Sequence, residues 1–188
     1  GVIGREKALE MLRKYLKDDK IVKHCLAVEA IMKFLAKKLG EDVNLWGLIG
    51  LLHDIDYDLV NRDPKRHGLK ALEILNGILP DKALDVIAAH NEHNGYKLKW
   101  KENERLLHAL RASDHLSGLI IATALVMPNK KLSEVKFETL KRKFKSKDFA
   151  RRISRGRIRE IEYVGLSVDE FLKLGLEALK SIASDLGL

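Results

Sequence analysis

Apolar residues recur at helical spacing along almost the whole chain. Ala8, Leu9, Leu12 and Leu16 share one face of a first helix, which the Asp18-Asp19 pair closes. Ile21, Cys25, Val28, Met32 and Leu35 form the stripe of a second helix that runs to Leu39, where Gly40 stops it. Leu45 to Leu52 is apolar nearly all round, the mark of a buried helix, and Gly47 and Gly50 let a neighbour come close. The pattern then predicts a helix opening at Asp63-Pro64 and ending near Asn76-Gly77, and another that Asp81 caps and that reaches Ala89 or His90. Glu102 to Val126 reads as one long helix. Shorter helices are expected near 132–150 and 154–163, and Ser167 with Glu170 forms a capping box for a last helix to about Leu186. No alternating strand pattern of useful length interrupts the series, so the expected fold is all-α. Met127-Pro128-Asn129 is the one break, separating a helical domain over 1–126 from an extension over 127–188 that packs on it.

Composition narrows the classes. With 188 residues, 46% hydrophobic and 33% charged, the chain can bury a sizeable core, which excludes disorder. One cysteine, Cys25, allows no intrachain disulfide and points to a reducing, cytoplasmic setting. The longest uncharged stretch of the middle, His115 to Asn129, is too short to cross a bilayer, and the absence of a basic-then-apolar leader speaks against secretion. The lack of Gln and the abundance of Lys lean towards a thermophile.

Positive charge is concentrated rather than spread. Residues 1–126 carry 20 Lys and Arg against 18 Asp and Glu, whereas residues 127–188 carry 15 against 9. Lys130 to Arg159 alone holds 13 basic residues and three acids, an excess that attracts phosphate on a small molecule or on nucleic acid, unless it is merely a solvated face.

All seven histidines lie between positions 24 and 115. His24 sits on the apolar face of the second helix with Ala27, Val28, Ile31 and Leu35, and His53-Asp54 ends the most hydrophobic helix of the chain. Asp114 interrupts an otherwise apolar stretch of the long helix. A carboxylate in such surroundings is costly unless paired or coordinating a cation. Each residue alone has an ordinary explanation, a satisfied core histidine or a helix-helix hydrogen bond. Together they form a set of His and Asp ligands for a transition metal held between helices.

The order His24 … His53-Asp54 … Asp114 resembles the HD superfamily of metal-dependent phosphohydrolases, in particular its HDIG-type members. Val22-Lys23-His24-Cys25-Leu26-Ala27-Val28 is similar to their first motif, Leu51-Leu52-His53-Asp54-Ile55-Asp56-Tyr57 to their second, and Ala112-Ser113-Asp114-His115-Leu116-Ser117-Gly118 to their last. Asp56 stands where Gly is usual, as in an archaeal and bacterial branch of the superfamily that the basic tail also resembles. The likeness covers residues 20–126 and implies a helical HD domain. His67 and His90 follow the ligand order of the superfamily's diadenosine tetraphosphate hydrolases, which implies a second metal, with Asp54 between the two.

The resemblance implies a cytoplasmic phosphohydrolase with divalent metal, two ions per chain of Mn, Fe, Co, Ni or Zn, acting on a small phosphorylated substrate, a nucleotide in the first instance. Asp54 and His93 are the candidate catalytic residues; His24, His53, Asp54, His67, His90 and Asp114 are the candidate ligands. Glu29, Asp58, Asn91 and Glu92 are candidates to satisfy the second ring nitrogens of the ligating histidines, and Arg111, Lys143, Lys145, Arg151 and Arg155 to hold substrate phosphate. His108 and His115 are assigned to packing or to the helix surface. Two other readings use the same residues: a di-iron oxygenase, and a nucleic-acid-binding module with a structural metal. Phe137, Phe144 and Phe149 are spaced like core positions, which leaves no stacking platform for bases. A homodimer is a further option, and no membrane is expected.

Overall fold

A computed structural model describes residues 3–188 and contains, among them, helices and turns but no strand. The helices are α1 (Arg5–Tyr15), α2 (Asp19–Leu39), α3 (Val43–Leu52), α4 (Leu69–Ile74), α5 (Asp81–Ala89), α6 (Glu104–Leu125), α7 (Phe137–Lys145), α8 (Arg155–Arg159), α9 (Val168–Ser181) and α10 (Ala183–Leu186). Single 3₁₀ turns cover Lys101–Asn103, Leu132–Glu134 and Glu160–Val164. The expected all-α class is what forms, and none of the helices is long and apolar enough to cross a membrane.

α2 is the central element. The Asp18 carboxylate accepts from Lys20 N at 3.0 Å at its start, and Gly40 ends it at φ 71°, a left-handed conformation that glycine adopts without a Cβ penalty. Its apolar residues Cys25, Val28, Ile31, Met32 and Leu35 are fully buried against α3, α6 and α9. α3 lies closest, and Gly50 is the reason: a Cβ there would stand 2.9 Å from Val28 O and 3.0 Å from the Glu29 backbone. Glu29 is buried on the other side of that contact, where Arg5 holds it in two hydrogen bonds of 2.8 and 3.0 Å and so ties α1 to α2.

The core runs across residue 126 without a gap. Phe144, Ile158, Ile161, Phe171, Leu172 and Leu179 of the basic extension belong to the same buried cluster as the residues of α2, α3 and α6. α7 and α8 pack on α6, and α9 packs on both α2 and α6.

Several expected boundaries move; the helices expected near 132–150 and 154–163 shorten to Phe137–Lys145 and Arg155–Arg159. The helix predicted from Asp63-Pro64 starts instead at Leu69, after a run of turns. Gly68 at φ 96° precedes it, and the buried Asp56 carboxylate accepts from Gly68 N at 2.7 Å and Ala71 N at 3.1 Å, which a helix through residues 64–68 would forbid. The long helix begins at Glu104 rather than Glu102, behind the 3₁₀ turn. The last helix breaks at Ile182, although its Ser167–Glu170 capping box forms as expected. Between α5 and the 3₁₀ turn at Lys101–Asn103 the chain has no regular structure and is held by buried Asp85, which accepts from Tyr96 OH at 2.7 Å, Lys99 N at 2.8 Å and Asn103 Nδ2 at 3.0 Å.

Gly50→Ala is expected to lower stability by about 1–3 kcal/mol by forcing α3 away from α2. A lower urea midpoint at unchanged m value would be the readout, and an unchanged midpoint would mean that the contact yields freely.

Candidate metal centre

Four helix ends and helix faces meet around one carboxylate. His24 projects from the second turn of α2, and His53 and Asp54 follow directly on α3. His67 closes the turns before α4, His90 follows the last residue of α5, and Asp114 lies midway along α6. Asp54 Oδ2 is 3.4 Å from His24 Nε2 and 3.3 Å from His53 Nε2, while its Oδ1 is 2.9 Å from His67 Nε2 and 3.5 Å from His90 Nε2. Asp114 Oδ1 completes the first group, 2.7 Å from His24 Nε2 and 3.2 Å from His53 Nε2. Two overlapping sets result, His24/His53/Asp54/Asp114 and Asp54/His67/His90, each with donor atoms within 4.8 Å of one another.

The hydrogen bonds of the other ring nitrogens decide what these sets can hold. His53 Nδ1 donates to Gly50 O at 2.7 Å, His67 Nδ1 to Asp56 Oδ1 at 2.7 Å, and His90 Nδ1 to Ile87 O. Ser117 Oγ gives its proton to Asp114 O at 2.8 Å and therefore accepts from His24 Nδ1 at 3.2 Å. Each neutral imidazole then keeps its lone pair on Nε2, turned towards a carboxylate oxygen. Lone pair against anion is repulsive unless a proton or a cation lies between. Metal–ligand bonds of about 2.0–2.2 Å place neighbouring ligand atoms roughly 3 Å apart, the range of separations seen here. The donor set therefore fits divalent transition ions, with Asp54 able to serve both groups.

Without a cation the charges settle as ion pairs. Burial pushes His53 towards its neutral form, but Asp54 and Asp114 outweigh it and raise its pKa well above the ordinary value. Burial is likewise outweighed at His67, where Asp54 and Asp56 raise the pKa to about 9. Asp54 and Asp114 stay well below the usual carboxylate range despite burial, Asp54 chiefly because of His53 and Asp114 because of His24 and His53.

None of Glu29, Asp58, Asn91 and Glu92 takes a ligand histidine's second nitrogen. Asp56, fully buried, does so for His67, a role that the sequence reading did not assign to it. Glu29 pairs with Arg5, Asp58 accepts from Lys17 N at 3.2 Å, Asn91 donates to the carbonyls of Pro64 and His67, and Glu92 pairs with Arg157.

The cluster forms the floor of a cavity of about 380 Å³. None of Arg111, Lys143, Lys145, Arg151 and Arg155 lines it. Arg111 is turned onto Ala89 O at 2.9 Å and holds the end of α5 that carries His90. Arg155 is saturated by backbone carbonyls, and Lys145 and Arg151 border a different hollow. The tail does reach the cavity, through Ser154 and Arg157. Arg157 Nη1 donates to Glu160 at 2.6 Å and Nη2 to Glu92, a pairing between residues 65 positions apart that no local pattern announces. His93 lies at the rim, two-thirds exposed and 3.7 Å from Glu92. His115, expected to be a packing residue, lines the cavity and accepts from Ser154 N at 3.1 Å through Nδ1, so that its proton sits on Nε2. Burial lowers its pKa. His108 is bound to Glu160 at 2.6 Å and stacked on Tyr163.

A family model described as HD domain matches residues 21–121. No curated protein and no solved structure matches the chain.

Asp56→Ala removes the acceptor that orients His67 while leaving His24, His53 and Asp114 as they are. The expected result is a loss of about 10–100-fold in affinity for one ion, seen as a drop in metal per chain by elemental analysis after dialysis, with the remaining ion retained.

Proposed function

The chain belongs to the HD domain family, and from that premise we propose that it is a metal-dependent phosphohydrolase acting on a small phosphate ester, a nucleotide in the first instance. The observation that carries this reading is the Asp54 carboxylate, whose two oxygens face separate groups of imidazoles in a cavity that Arg157 also lines. His24, His53, Asp54 and Asp114 would hold one divalent ion, and Asp54, His67 and His90 a second. Bound there, such ions lower the pKa of water towards neutrality and neutralise charge on phosphoryl oxygens.

The protein's own groups orient the ester. Arg157 has five N–H donors, and the pairings with Glu92 and Glu160 use two of them, so its guanidinium can take a phosphate oxygen without leaving Glu160. It replaces the lysines of the tail as the group that recognises phosphate. His115, neutral and donating through Nε2, offers a second hydrogen bond from α6, and His93 contacts the rest of the substrate at the rim. Gly50 O, Asp56, Ile87 O and Ser117 fix the tautomers of the four ligand histidines, so every Nε2 is available without a change of protonation state at Nδ1. On this reading residues 1–126 supply the metal centre, and the extension over 127–188 supplies one wall of the cavity.

Manganese-loaded protein is expected to release inorganic phosphate from nucleoside monophosphates. Asp54→Asn should abolish turnover and reduce metal content together, because that carboxylate reaches both groups. If iron-loaded protein consumes oxygen and no metal form releases phosphate, the oxygenase reading replaces this one. Arg157→Ala is expected to raise KM about tenfold or more, the loss of one charge-assisted hydrogen bond, with the ion content unchanged. A KM that does not move would return Arg157 to the role of a strap between α8 and the loop at Glu92.

A further inference from the structure

α8 presents arginines on two sides. Arg157 faces the metal cavity, whereas Arg155 and Arg159, one turn apart, border a second hollow of about 300 Å³ together with Lys145, Lys147 and Arg151. All five charged groups that line this hollow are cations. Between Lys143 and Arg159 the chain carries eight basic residues and one acid.

The hollow is built rather than incidental. The Arg155 guanidinium is half-buried and donates to the carbonyls of Lys143 at 2.9 Å, Phe144 at 3.0 Å, Ser146 at 2.9 Å, Phe149 at 2.6 Å, Ala150 at 2.8 Å and Ile153 at 3.0 Å. Residues 143–153 are thereby wrapped around one side chain, with Ala150 held at φ 47°, a conformation that persists only where the surroundings impose it. Arg155 has no donor left for a ligand; its role is to shape the loop. The cations that the loop then projects lack acid partners. Among the described residues no carboxylate lies within 4.0 Å of the charged nitrogens of Lys145, Lys147 or Arg159, and Arg151 has only the exposed Asp148 at 3.7 Å. Like charges gathered around one concavity repel one another and raise the local potential for an anion.

We propose that this hollow is a second anion site, distinct from the metal cavity, that takes a compact ligand with two or more adjacent phosphates. Lys145, Lys147, Arg151 and Arg159 bind the phosphates. A nucleic-acid strand fits less well. Its backbone needs a track of cations with open aromatic faces for the bases, and here the aromatic faces are covered, Phe144 by Arg159 at 5.1 Å and Phe149 by Lys143 at 4.7 Å. Because α8 carries Arg159 on one side and Arg157 on the other, occupancy of this hollow bears on the wall of the metal cavity. The site does not depend on the hydrolase reading, since none of its residues touches the metal centre.

The test is calorimetric titration of the full chain with inorganic tripolyphosphate, alongside Lys145→Ala/Arg151→Ala, Lys147→Glu and Arg157→Ala. One ligand per chain is expected, with affinity that falls as salt rises and that drops about tenfold or more in the first two variants through lost charge-assisted hydrogen bonds. These positions are exposed, and unchanged helical circular dichroism shows that the variants fold. Equal affinity in the wild type and both basic-loop variants, with loss only in Arg157→Ala, would place the anion in the metal cavity and overturn the proposal. Tighter binding of a single-stranded oligonucleotide than of tripolyphosphate, sensitive to the same substitutions, would overturn it in favour of a nucleic-acid surface.

Discussion

The repulsion between an imidazole lone pair and a carboxylate oxygen is the constraint on which this protein turns. Four Nε2 atoms are aimed at Asp54 and Asp114 by hydrogen bonds at the opposite ring nitrogen, and those bonds come from four separate pieces of chain: α3 itself, the turns before α4, α5 and α6. The arrangement is stable only with positive charge inside it. Protons can supply that charge, which is why His53 and His67 titrate above the ordinary histidine range and Asp54 and Asp114 below the carboxylate range. A divalent cation supplies it with better geometry, so that any binding energy is also folding energy for the elements that meet there.

The rest of the fold serves to keep these pieces of chain in place. Gly50 lets α3 approach α2 closely enough for His53 and His24 to share oxygens of Asp54 and Asp114. Asp56 stops the chain from becoming helical before Leu69 and in the same act orients His67. Arg111 and Asp85 act on the two ends of the α5 region, one fixing the His90 carbonyl turn and the other the irregular segment up to α6. Polar groups buried in this way specify one arrangement of helices, because every alternative leaves one of them without a partner.

Much of this was legible in the sequence, for an identifiable reason. His24, His53-Asp54 and Asp114 stand out because apolar neighbours surround them, so a periodicity argument exposes them, and the structure gathers them within 4.8 Å. His67 and His90 have no such contrast; the family resemblance pointed to them, and the geometry places them beside the other oxygen of Asp54. Helix boundaries set by local chemistry, such as Gly40 and the Ser167–Glu170 box, were readable as well. The start of α4 was not, because a carboxylate eleven residues before His67 decides it. Nor was the place of Arg157, alone among 13 basic residues, at the cavity, which depends on Glu92 and Glu160 lying where the folded chain puts them.

The basic tail is where the sequence argument and the structure part most clearly, and the division has a physical logic. A phosphate cavity whose floor already carries several imidazoles and cation-binding carboxylates gains little from many lysines, which would compete with metal for the same carboxylates. One arginine, paired with both Glu92 and Glu160, lines the cavity without drawing Asp54 or Asp114 away from the imidazoles. Lys145, Lys147, Arg151, Arg155 and Arg159 border a different hollow, on the side of α8 away from Arg157, and Ile158 of that helix is buried in the core. The wall thus keeps the two hollows apart, with one short helix contributing arginines to both. Movement of α8 that improves the contacts of Arg159 must alter those of Arg157, two residues away and on the opposite face.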